Sequence, residues 1–291
     1  MPQLVWLITG CSSGFGLEFV HQILARGDRV IATARNLDKM RSLRGTGATL
    51  LELDVTSTQS IIDTVIAKAV AVHGRVDVLV NNAGFVMSGS WEDLRYENFL
   101  ASFDVNVFGP IKVTRAILPH FRENAAGTMV FISSLSGWIG HGFTGAYASS
   151  KFALEGAVES LYQETKPLGL RTLLMEPGRF RTNLLSQDKA QINRSSIDDY
   201  RQASDAHTQG LQQEGMRQPG DPKKFVEIVI DLVRQEGCAA GKVIPFRLPV
   251  GMDANEEIRG KLESTTRVLE DWGSVVLGTG YTESSQVGQS I

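Results

Sequence analysis

Tyr147 and Lys151 stand four positions apart in AYASSKFALEG, residues 146 to 156. In a helix, residues i and i+4 share one face, so this spacing sets a phenol beside an ammonium. An ordinary tyrosine has a pKa of about 10 and exchanges protons slowly near neutral pH. A neighbouring cation favours the phenolate and so makes the phenol a better general acid or base. Any solvated helix face can carry the same pair, so its meaning depends on what the rest of the chain brings to it.

Phosphate chemistry is written near the N-terminus. The run TGCSSGFG places Gly10, Gly14 and Gly16 between an apolar strand-like segment and a helical pattern. A tight turn from a strand into a helix N-terminus needs glycine, and the free amides there attract phosphate. The spacing differs from GxGxxG, so the flanking strand and helix carry the inference. After the second strand-like run, ATARN supplies Arg35 where dinucleotide-binding folds often hold a carboxylate against the ribose. A guanidinium there fits a 2′-phosphate, which favours NADP(H) over NAD.

The elements that must position these groups alternate along the chain. LVWLIT, RVIATA, TLLELDV, VDVLVN, TMVFISS, RTLLMEP and KVIPFRL read as strands. Helical patterns follow most of them, including LDKMRSL, residues 57–73, 96–124 and 146–168, DPKKFVEIVIDLV and NEEIRGKLESTTRVLEDW. Uniformly apolar strands alternating with helices imply a Rossmann-type α/β fold, a doubly wound parallel sheet with helices on both faces. One domain is expected over 1–272, with a polar substrate lid at about 184–220 and a flexible tail over 273–291.

Composition narrows the function. The 291 residues are 42% hydrophobic and 21% charged, with a net charge of -3, which suits a globular protein and offers no footprint for nucleic acid. Cys11 and Cys238 are the only cysteines, and His21, His73, His120, His141 and His207 show no ligand spacing, so neither disulfides nor a metal are expected. With no signal peptide and no transmembrane segment in view, the expected location is cytoplasmic.

Taken in order, these motifs resemble the short-chain dehydrogenase/reductase family, in a branch near the 17β-hydroxysteroid and retinol dehydrogenases. Thr9 to Gly16 resembles its TGxxxGxG turn, Asp54 in LDVT its adenine-side acid, Asn81 to Gly84 its NNAG signature, and PGRFRT its nicotinamide loop. The resemblance implies a catalytic tetrad of Asn106, Ser134, Tyr147 and Lys151. It implies cofactor contacts from Gly10, Ser12, Ser13, Gly14, Phe15, Gly16, Arg35, Asp54, Val55, Asn81, Ala83, Gly84, Tyr147, Lys151, Pro177, Gly178, Phe180 and Thr182.

Strand alternation lets only one of Ser133 and Ser134 face inward, and the family spacing to the tyrosine selects Ser134 as the hydroxyl that steadies a substrate oxygen. Asn106, poorly suited to a helix, is expected to hold a water that relays protons to Lys151. Met87, Trp138, His141, Phe143 and Leu184 are expected to line an apolar substrate pocket.

The expected activity is NADP(H)-dependent hydride transfer to or from a carbonyl or secondary alcohol of an apolar small molecule, with Tyr147 as general acid/base. The alternatives are a cofactor-binding sensor without turnover and a non-redox rearrangement in the same site. The family commonly assembles through its two long central helices, which implies a homodimer or homotetramer.

Overall fold

Apolar runs that are covered on both faces pair most readily as parallel strands, and the chain folds accordingly. The computed structural model describes residues 2–185, 190–215 and 217–280. In chain order the elements are β1 (Val5–Ile8), α1 (Gly14–Ala25), β2 (Arg29–Ala34), β3 (Thr49–Glu52), α2 (Gln59–His73), β4 (Val78–Asn81) and β5 (Val86–Ser88). They continue as α3 (Tyr96–Phe103), α4 (Gly109–Glu123), β6 (Thr128–Ile132), α5 (Gly145–Thr165), β7 (Arg171–Pro177) and β8 (Ala190–Ile192). The last are α6 (Asp198–Glu214), α7 (Pro222–Arg234), β9 (Arg247–Val250), α8 (Met252–Asp271) and α9 (Gly273–Val276).

Seven strands form one parallel sheet in the order β3-β2-β1-β4-β6-β7-β9. The direction of winding reverses between β1 and β4, which opens a crevice beyond the strand C-termini, the place where open α/β sheets bind ligands. Alternation along β1 shows how the sheet is clad. Trp6 and Ile8 pack with Phe19 of α1 and Phe225 of α7, while Val5 and Leu7 pack with Ile62 of α2, Ile117 of α4 and Leu154 of α5.

Three elements differ from the sequence expectation. LDKMRSL forms 3-10 turns over Leu37–Leu43, with only Met40 and Leu43 buried. The helix expected over 96–124 is broken by a π turn at Asp104–Phe108. The final strand begins at Arg247 and not at Lys242, because Val243 is exposed and Pro245 has no N–H to pair.

The polar stretch at 184–220 is more regular than its composition announced. It holds a 3-10 turn at Asn183–Leu185, then β8, which pairs in parallel with β5, a strand the sequence had not signalled, and then α6. Only Ser204 and Thr208 of α6 are buried, so the helix has no apolar stripe for periodicity to detect. Asp93 anchors the segment, accepting hydrogen bonds from Ser195 Oγ at 2.5 Å, Ser196 Oγ at 2.6 Å and Ser196 N at 3.1 Å. In the expected tail, α9 is followed by a 3-10 turn at Leu277–Thr279; residues 281–291, like 186–189 and 216 of the expected lid, lie outside the described residues.

One buried ion pair joins the start of the sheet to its cladding. Asp28 accepts from Leu4 N at 3.0 Å and Trp6 Nε1 at 2.9 Å, and Arg234 of α7 reaches both of its carboxylate oxygens at 2.8 and 2.7 Å. Removing one member leaves a buried charge and an indole N–H without a partner. The D28A variant is expected to lose about 3–5 kcal/mol of stability in urea denaturation. A loss below about 1 kcal/mol would show that Glu236, already 3.1 Å from Arg234, takes over the charge.

Candidate active site

The crevice holds a cavity of about 480 Å³ running from the glycine turn past the C-terminal ends of β2, β4 and β6 to the loop after β7. Its floor is built from backbone that no side chain can share. Gly10 has φ +74°, and a Cβ on it would sit 2.9 Å from Ala83 Cα. Gly14 has φ +59°, and a Cβ on Gly16 would collide with the Gly10 carbonyl. Thr9 Oγ1 accepts from the amides of Asn82 and Ala83, both at 3.0 Å, and Asn82 Nδ2 donates to Thr9 O at 2.8 Å, so the NNAG segment is bolted to the turn. A shallow glycine floor at a helix N-terminus, with cations nearby, fits a dinucleotide phosphate.

Of the residues expected to meet the cofactor, Gly10, Ser12, Ser13, Gly14, Phe15, Arg35, Asp54, Val55, Ala83, Gly84, Tyr147, Lys151, Pro177, Gly178, Phe180 and Thr182 line this cavity. Gly16 and Asn81 do not. Gly16 lies beneath the turn, where it makes the close approach possible, and Asn81 is buried on β4, donating to Thr114 Oγ1 at 3.0 Å. The neighbouring Asn82 takes its place in the wall. Lys39 also lines the cavity, a second cation beside Arg35 that the sequence reading overlooked because it sits within the misread 3-10 segment. The far wall is fixed by rings: Phe15 stacks on Phe225 at 4.2 Å and meets Phe180 edge-on at 5.5 Å.

At the other end Ser134, Tyr147 and Lys151 converge. Ser134 stands beside the Tyr147 phenol, and Lys151 Nζ lies 5.8 Å from the centre of the tyrosine ring while donating to Ile132 O at 3.0 Å. Tyr147 is 8% exposed and Lys151 4%. Burial, not the neighbouring cation, governs the phenol: it is pushed up to about 12, opposed by the Ser134 hydroxyl beside it. Burial likewise lowers Lys151 to about 8, with the Glu155 carboxylate pulling it back up. The sequence argument therefore has the right neighbours but the wrong dominant force. A pair buried this deeply loses more to desolvation than it gains by proximity.

The two adjacent serines divide as alternation requires in their partners, though both touch the cavity. Ser133 Oγ donates to Glu155 Oε1 at 2.6 Å, whereas Ser134 serves the phenol. Asn106 is buried within the helix break. It sits in the π turn, accepts from Phe85 N at 2.9 Å, and donates to Phe85 O at 2.8 Å and Ser150 Oγ at 3.0 Å. Its amide thus clamps the loop after β4 to α5, and Val105, not Asn106, lines the cavity.

Among the expected substrate residues Leu184 lines the cavity, as does Phe85, but Met87, Trp138, His141 and Phe143 do not. Met87 points from β5 into a satellite core with Leu94 and Ala146. Trp138 lies under the Arg247 guanidinium at 4.5 Å, and His141 pairs with Glu257 at 2.7 Å. Phe143, at φ 61°, turns its ring to His207, 5.5 Å away. These side chains belong to the packing behind the crevice and beneath α6 and α8.

The sequence pattern described as short chain dehydrogenase matches residues 4–193. The chain belongs to that family. This short-chain dehydrogenase is 36% identical to the uncharacterized oxidoreductase YusZ of Bacillus subtilis over 261 residues, 86% of this chain and 90% of the relative. It is 37% identical to human retinol dehydrogenase 8 over 202 residues, covering 66% of this chain and 63% of that one. With human 17-beta-hydroxysteroid dehydrogenase type 1 it shares 31% over 252 residues, 80% of this chain and 75% of the other. A short-chain dehydrogenase from Streptomyces avermitilis superposes with a TM-score of 0.86 at 37% identity, covering 96% of this chain and all of that one (100%). The family oxidoreductase therefore has a single Rossmann-like domain, and among its described residues no helix is long and apolar enough to cross a membrane.

The dominance of burial over the neighbouring cation is directly measurable. A difference titration of phenolate absorbance, wild type against Y147F, should show no ionisation of Tyr147 at or below the ordinary tyrosine value of about 10. A step well below that value would mean that Lys151 controls the phenol after all.

Proposed function

We propose that this chain is an NADP(H)-dependent oxidoreductase that interconverts a carbonyl and a secondary alcohol on an apolar small molecule. The observation that carries the reading is the convergence of Ser134, Tyr147 and Lys151 in one cavity with a glycine floor and the cations Arg35 and Lys39. Bound NADP(H) would supply the hydride donor or acceptor. The glycine turn and the N-terminus of α1 would receive its pyrophosphate, and Arg35 with Lys39 a 2′-phosphate. Pro177, Gly178 and Thr182 would hold the nicotinamide end, on a loop fixed by Gly178 N donating to Val250 O at 2.9 Å and Arg179 N to Asp253 Oδ2 at 2.7 Å.

The chain's own part is to handle the oxygen and its proton. Ser134 and Tyr147, side by side in the cavity, present two hydroxyls to one substrate oxygen. The burial that raises Tyr147 keeps its proton in place at neutral pH, which equips it to protonate an alkoxide as it forms during reduction. Lys151 has donors left after its bond to Ile132 O, available to a ribose hydroxyl and to the phenol. Apolar walls from Phe85, Val105 and Leu184 favour a substrate with a hydrocarbon body. The names of the relatives, among them a 3-ketodihydrosphingosine reductase of Bacteroides thetaiotaomicron 32% identical over 256 residues, suggest the first trial compounds: retinal, a 17-ketosteroid and 3-ketodihydrosphingosine.

Residues 184–220 act as the lid in this reading, and exposed Phe108, Phe152 and Leu168 on and beside α4 and α5 suit a homodimer or homotetramer.

Two experiments test the proposal. Y147F removes the proton but little volume, so kcat/KM for carbonyl reduction should fall by about 10²–10⁴-fold while NADPH still binds. Near-normal turnover would reject the proton role. Replacing Arg35 and Lys39 together by alanine removes charge-assisted contacts worth about 1.5–3 kcal/mol each. The KM for NADPH should rise at least about tenfold with that for NADH unchanged; a parallel change in both would deny these cations a part in nucleotide choice.

A further inference from the structure

The face of α5 that carries Tyr147 and Lys151 continues one turn further to Glu155, which is also buried at 5% exposure. Its carboxylate is held from two sides. Ser133, after β6, donates to Oε1 at 2.6 Å; Arg247 of β9 pairs with Oε2; and Arg247 also reaches the fully buried Glu176 of β7 at 2.5 Å. Glu159, one turn further along α5, stands 3.9 Å from the same guanidinium. The Trp138 ring covers Arg247, and Gly137 leaves the space Glu155 fills, since a Cβ there would collide with Oε1. Behind the cavity, then, lies a cluster of two basic side chains, Lys151 and Arg247, and two buried carboxyl groups, Glu155 and Glu176, with the more exposed Glu159 at its rim.

We propose that Glu155 is a positioning residue whose carboxylate, fixed by Ser133 and Arg247, keeps the buried Lys151 ammonium charged and thereby sets the alkaline limit of the reaction. The inference rests on the role given above to Tyr147 and Lys151. The surroundings make the carboxylate effective where it matters. Burial lifts Glu155 to about 7, with Glu176 adding to the rise and Ser133, Arg247 and Lys151 opposing it. Burial pulls Lys151 down, and the Glu155 charge one turn along the same helix face opposes that fall. Without that charge, the buried Lys151 ammonium would keep only its bond to Ile132 O against desolvation.

The test needs no substrate. Nitrogen-15 NMR of the lysine side chains, with Lys151 assigned by its loss in K151M, should give a titration midpoint near 8 in the wild type. In E155Q the midpoint should fall by about one pH unit, and E155D, which keeps the charge, should restore most of it. An unshifted midpoint in folded E155Q overturns the inference. If E155Q does not fold, S133A serves instead: loss of its hydrogen bond raises Glu155, so the Lys151 midpoint must again move down, and a fixed midpoint is equally fatal. The alkaline limb of NADPH-dependent reduction, followed with whichever of the three trial carbonyls the wild type accepts, should move with the NMR midpoint. Active Y147F would remove the catalytic reading yet leave the NMR result standing; inactive Y147F with an unmoved Lys151 removes the Glu155 inference alone.

Discussion

A lysine taken out of water must find compensation close by, and here that need organises one end of the molecule. Lys151 is anchored on the carbonyl of Ile132, the last residue of β6, so α5 can dock on the sheet only in the register that brings this ammonium to the strand end. The same register sets Tyr147 against Ser134 and Glu155 against Ser133. The three α5 residues are therefore placed by a single helix-on-strand contact. Because desolvation penalises charge on all three, protonation states in this crevice follow from packing as much as from composition.

The opposite end of the cavity is governed by shape. Glycines let the backbone of the turn approach Ala83, and Thr9 and Asn82 lock the two segments together. Electrostatics enters through Arg35 and Lys39, both just after β2. The sheet supplies the geometry that joins the two ends, since residues at the C-termini of adjacent parallel strands necessarily face one crevice.

The alternation of strand and helix, the glycine turn and the Tyr147/Lys151 spacing were legible because each is a local pattern with a local cause. What escaped notice depended on distant partners. β5 is a three-residue strand that exists only through pairing with β8, and α6 hides no apolar stripe. Asn81 and Asn82 are chemically alike, and only strand direction tells which side chain enters the core. Met87 and Trp138 looked like pocket residues because they are apolar and near the site in sequence, yet both are needed for packing. The sign of the Tyr147 shift was unreadable for the same reason: spacing reveals a neighbour but not how much water has been removed.

Gly137 adds a consequence of a different kind. Its lack of a side chain is the space into which the Glu155 carboxylate fits, so the two positions are sterically interlocked although they lie in separate elements. An alanine at position 137 would force the Glu155 carboxylate away from Ser133 or Arg247. A descendant of this chain that replaced the acid with a small residue would open a void that a bulkier turn could fill. The two sites should therefore drift through evolution as a couple, each limiting what selection can accept at the other.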